Sequence, residues 1–144
     1  MSRQFPLAGL LRLRQLREDE AAGSLAAANE RLRTSRTRVD EVNGALDDSN
    51  LTPSGSSSLY AVAAARASAR SMLADLQALE VRLTGEQDHA QERYRTARAA
   101  TVGLEKLEDR HRQAEAATVL EAEQRVLDEL ASTGWGRRTE KDRT

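Results

Sequence analysis

Cysteine is absent from the chain, so a disulfide framework, a thiolate metal site and a thiol nucleophile are all excluded. Proline occurs only twice and aromatic residues make up 3% of the sequence, so a turn-rich sheet or a core packed around large rings has little to build from. The formal net charge is -1, so no overall field draws the chain to nucleic acid or anionic lipid. Lys106 and Lys141 are the only lysines. No run approaches the ~20 apolar residues of a bilayer span. In the opening stretch FPLAGLLRLRQLREDEA, Arg12, Arg14 and Arg17 interrupt the apolar run that a cleaved secretory signal needs, so the segment is expected to be retained. Glu18, Asp19 and Glu20 follow at once and disfavour a helix lying on a membrane surface.

What the sequence does have is Ala, Leu, Glu, Arg and Gln in long stretches without turn signals, the composition of extended helices. One break divides it, DDSNLTPSGSSS, Asp47 to Ser58, which reads as a flexible turn. Before the break, Leu25, Ala28, Leu32, Ser35, Val39, Val42 and Leu46 recur at alternating steps of three and four, the coiled-coil period. Carried upstream, the same register meets Ala21, Glu18, Arg14, Leu11 and Leu7, so charge is expected to interrupt the seam near Arg14 and Glu18. After the break, Leu76, Leu83, Ala90, Ala97, Leu104, His111 and Thr118 fall seven apart. The second seam position is expected three residues on, at Leu79, Ala100, Leu107 and Ala114, with polar Glu86 and Arg93 also occupying it. Gly85 and Gly103 each cost about 1 kcal/mol relative to Ala and are candidates for bends or close contacts.

These patterns predict an all-α fold, a single antiparallel two-helix coiled-coil hairpin over residues 1–144 with the second helix longer than the first. The first helix is expected from about 6 to 48, the turn over 49–57, the second helix from about 58 to 132, and a charged tail over 133–144 after the TGWGRR stretch. Pairing outward from the turn puts Phe5 level with about residue 100, leaving some 45 Å of the second helix projecting. That projection carries Leu104, Leu107, Ala114, Leu120, Leu127 and Leu130, an apolar stripe with no partner in the chain. A kink at Gly103 or pairing of two chains would cover it otherwise.

Catalytic arrangements are poor. His89 and His111 are too far apart to act as neighbouring ligands on one helical turn. Glu108 and His111 have the spacing of a helical di-iron site, but the second such pair it requires is missing, so His111 reads as a polar seam residue and no metal or cofactor is expected. SGSSS lacks the lysine and the preceding strand of a phosphate loop. Arg31, Arg33, Arg36 and Arg38 spread around their helix instead of forming a basic face, so nucleic acid is not an expected partner.

Two motifs near the ends carry a family resemblance. The opening FPLAGLLRLRQLREDEAAGSLAAA and the closing EAEQRVLDELA, Glu121 to Ala131, resemble those of the FliJ family of the flagellar type III export apparatus. The resemblance implies a non-enzymatic, cytoplasmic protein at the base of the flagellum. It would engage the hexameric export ATPase, the cytoplasmic domain of the export gate and export chaperones, much as a central stalk engages a rotary ATPase, and would be monomeric in isolation. Carried over residue by residue, the opening motif falls on Phe5, Leu7, Leu10 and Leu11, with Arg14 the nearest basic partner, and the closing one on Glu121, Glu123, Gln124, Leu127, Asp128, Glu129 and Leu130; partner contact is expected at the four opening residues, at Gln124, Leu127, Asp128 and Leu130, and at Leu120 of the apolar stripe. Val126 and Arg125 stand where many members have a more polar pair. For the opening leucines the competing reading is packing on the second helix; for the closing motif it is a solvated face held by Glu121 and Arg125. Trp135 is either an interface anchor or part of a tail. A homodimeric coiled-coil scaffold or tether is the alternative to the export reading.

Overall fold

The computed structural model describes residues 4–48 and 53–141, with side chains over 4–47 and 53–133. It is all-α: α1 (Ala8–Asp48) has 41 residues and α2 (Ser56–Lys141) has 86. Pro6 sits in the turn that leads into α1, where its missing N–H costs no hydrogen bond; the Ala8 N–H donates to the Phe5 carbonyl at 3.1 Å. At the start of α2 the Ser58 hydroxyl accepts from the Gly55 N–H at 2.9 Å, so a side chain satisfies a backbone donor that the helix leaves over. The connecting residues 49–52, part of the expected turn, lie outside the described residues.

The chain divides into two compact units, Leu16–Ala99 and Met1–Gln15 with Ala100–Thr144. In the first, polar contacts join the helices at several levels. Arg36 donates to Glu80 at 2.8 Å, Arg31 lies 3.8 Å from Glu86, Gln87 donates to Asn29 at 2.8 Å, and Arg98 donates to Glu18 at 3.2 Å. As the number falls on α1 it rises equally on α2, which is antiparallel pairing. Leu32, Ala28, Ala21, Leu83 and Ala90 are buried between them, with Leu25, Val39, Val42, Leu46, Leu76 and Leu79 half-buried alongside. Alanine makes up much of this seam, so the buried apolar area per turn is small.

Three expectations are corrected here. The second α2 seam position three residues on holds at Leu79 and Ala100, which are half-buried, but between them it falls four residues on: Gln87 and Tyr94 are half-buried whereas Glu86 and Arg93 are exposed. In the other unit Thr101 and Glu108 likewise turn inward, Leu107 is 43% exposed and Ala114 is exposed. Burying Gln87, whose amide is bonded to Asn29, costs less than burying the charge of Glu86 or Arg93. Charge also does not interrupt the α1 seam. The Glu18 side chain is only 15% exposed and faces Arg98, which supplies the counter-charge that burial requires; Arg14 is half-buried and Leu11 is buried.

The third correction concerns where the chain folds back. A turn centred on Asp47–Ser58 would set Arg36 opposite about residue 70, one residue for one along two helices of equal rise. It faces Glu80 instead. The crossing is therefore shifted some ten residues into α2, whose first turns have no described part of α1 beside them and leave Leu59 and Tyr60 exposed. Turn composition marks where helix ends, but side-chain packing sets which residues meet.

Gly85 and Gly103 do not mark close contacts. A Cβ built on either meets nothing within 4 Å, and α2 is continuous through both. The helix also passes through TGWGRR to Lys141 instead of stopping near Ser132. Glycine weakens a helix by about 1 kcal/mol per residue but keeps its N–H and clashes with nothing, so it does not end one as proline does.

Candidate partner-binding surface

In the unit formed by the chain's two ends, the Phe5 ring meets the His111 ring edge-on, with centroids 5.7 Å apart and planes at 60°. Such a pair contributes about 0.5–1.5 kcal/mol and fastens the start of the chain to α2. Phe5 was expected level with about residue 100; the later fold-back moves it to His111, and the longer α2 restores the length, leaving about 45 Å of helix beyond the ring pair.

From Ala116 to Thr133 every residue of this extension is exposed. Val119, Leu120, Val126, Leu127 and Leu130 are all more than half exposed, Leu127 at 65%. At 100° per residue these five fall within about 120° of one helix face. Gln124 lies just beyond one edge of that face and Asp128 further round, while Arg125, 3.7 Å from Glu121, lies on the opposite side. Val119 and Val126 were missed by the sequence reading, although their spacing of seven, directly beside Leu120 and Leu127, is a visible signal.

The opening leucines separate. Leu11 is buried and belongs to the packing between the helices, whereas Leu7 and Leu10 are exposed, together with Leu13, which the motif did not single out. Leu104 is half-buried. The side chain of Trp135 lies outside the described residues.

A second apolar surface occurs in the Leu16–Ala99 unit. Val42, Ala45 and Leu46 of α1 and Ala65, Ser68, Ala69 and Met72 of α2 line an open groove of about 450 Å³. Small side chains on both helices leave it unfilled.

Among the described residues no cluster of three or more His, Asp or Glu side chains could hold a metal ion, and no helix is long and apolar enough to cross a membrane. Residues 3–140 match the family model described as Flagellar FliJ protein. The chain belongs to the FliJ family. No curated protein and no solved structure matches it. As a FliJ-family member it is a component of the flagellar type III export apparatus, in a family whose role is not catalytic. The two end motifs that carried the resemblance fall inside the matched span; the closing motif and residues 5–15 of the opening one belong to the unit that holds the bare helix extension.

Proposed function

We propose that this FliJ-family chain binds and regulates the hexameric export ATPase and couples it to the cytoplasmic domain of the export gate, as a stalk-like adaptor with no chemistry of its own. The observation that carries this reading is the bare stripe of Val119, Leu120, Val126, Leu127 and Leu130 on a helix extension that nothing else among the described residues covers. A contiguous exposed apolar face of this kind is a docking surface, and a single helix entering a ring or groove buries such a face from all sides. Leu7 and Leu10, exposed beside the root of the extension, widen the contact. Export chaperones compete for, or share, these exposed leucines.

Coupling requires a second contact, and the groove lined by Val42, Leu46 and Met72 supports one for the gate. Pulldown of the ATPase with Leu127→Asp and Leu130→Asp tests the first contact: binding and ATPase stimulation should be lost, and their retention would reject the extension as the docking element. Ala69→Arg, which fills the groove with a charge, should weaken binding of the gate's cytoplasmic domain while leaving the ATPase bound. Unchanged gate binding removes the groove from the proposal.

A further inference from the structure

Glu123 stands in the middle of the apolar stripe. At 100° per residue it bisects the arc spanned by Val119, Leu120, Val126, Leu127 and Leu130. The residues three and four positions away, the ones a helical side chain can reach, are Val119, Leu120, Val126 and Leu127, all apolar. No cation on its own helix turn can pair with it. Glu121, by contrast, has Arg125 four residues on at 3.7 Å, and that arginine lies on the face away from the stripe. Glu123 has no ion pair among the described residues, and in the free chain water solvates it because the whole extension is exposed.

Docking changes this. Once the flanking leucines and valines are covered, the carboxylate is covered with them, and a buried carboxylate without a counter-charge offsets much of what the apolar contacts around it contribute. A second copy of the chain laid along residues 116–133 offers only Arg125, on the opposite face. We infer that the surface receiving the extension is an apolar pocket with one arginine or lysine set within it, and that Glu123 is the residue that fixes the rotation and register of the helix in that pocket. A single polar group in an apolar seam specifies alignment because every misaligned arrangement leaves it unpaired. This rests on the extension being the ATPase-docking element, as proposed above.

The sign of the effect discriminates. If the pocket holds no cation, Glu123→Leu removes a buried unpaired charge, adds apolar contact and binds more tightly. If it holds one, both Glu123→Leu and the isosteric Glu123→Gln strand that cation and weaken binding on the order of 30-fold or more. The experiment is titration of the full chain and each variant against the purified export ATPase assembled with a non-hydrolysable ATP analogue. Far-UV circular dichroism should be unchanged, because the site touches nothing in the free chain. Weakening by both variants supports the pairing, and binding that is tighter or within about threefold of the parent for either one overturns it. Leu127→Asp run alongside keeps the two readings apart: if it still binds, the docking of the extension has failed. If it is lost while Glu123→Leu binds normally, only the buried cation has failed. Light scattering covers the remaining occupant, since a parent dimer that Glu123→Leu dissociates would place the cation on a second copy and overturn the proposal.

Discussion

Leu32 and Leu127 sit in the same kind of heptad pattern, yet Leu32 is 3% exposed and Leu127 is 65% exposed. Nothing local separates them, since both are leucines in a long, uninterrupted helix rich in Ala, Glu and Arg. The difference is the presence of another helix alongside. In the Leu16–Ala99 unit the antiparallel partner covers the stripe, and cross-helix polar contacts such as Arg36–Glu80 and Arg98–Glu18 hold it in one alignment. In the extension the stripe is complete but bare. A heptad pattern thus states that a face will be covered without stating by what, and two stretches of one chain can answer that differently.

Four substitutions sharpen the contrast, from the largest effect to the smallest. Leu83→Ala opens a cavity in the covered seam and should cost about 3 kcal/mol of folding stability, read as a lower midpoint in urea followed by circular dichroism. A midpoint unchanged by this variant would mean that the seam is not what holds the helices together. Gly85→Ala should raise stability by about 1 kcal/mol, because a Cβ there meets nothing and alanine restricts the unfolded chain. A loss instead would show a contact that the open space around Gly85 does not suggest. Ser35→Ala should also stabilise, by about 0.5–1 kcal/mol, since the Ser35 hydroxyl is buried with no hydrogen-bond partner; thermal melting that shifts downward would reveal a partner for it. Leu127→Ala should move the urea midpoint by less than about 0.5 kcal/mol, the value of a surface change. Destabilisation near that of Leu83→Ala would mean that the extension is covered in the free chain.

Much of this fold is legible in the residues. The step of three and four from Leu25 to Leu46 identifies the α1 seam, and the shortage of turn signals gives two long helices of unequal length. The second α2 position is not legible from spacing alone, because steps of three and four after Leu83 both lead to mixed residues; the cost of burying Glu86 and Arg93 against that of a bonded Gln87 decides it. Glu18 was read as an interruption because its partner, Arg98, is 80 residues away in sequence. For the candidate surface, Leu120, Leu127 and Leu130 were visible as a stripe and Glu123 as part of the closing motif, whereas the bareness of the leucines around Glu123 shows only in the structure.

The sequence by itself determined that this chain forms two helices and that each carries an apolar stripe, since helix propensity and period are local properties. Only the tertiary structure decided which residues face one another. The crossing point moved some ten residues into α2, the seam took in Gln87 in place of Glu86, and Leu11 was buried while Leu10 was left in water. Those choices depend on the combined cost of burying charges and leaving voids across two helices at once, which no single helix encodes.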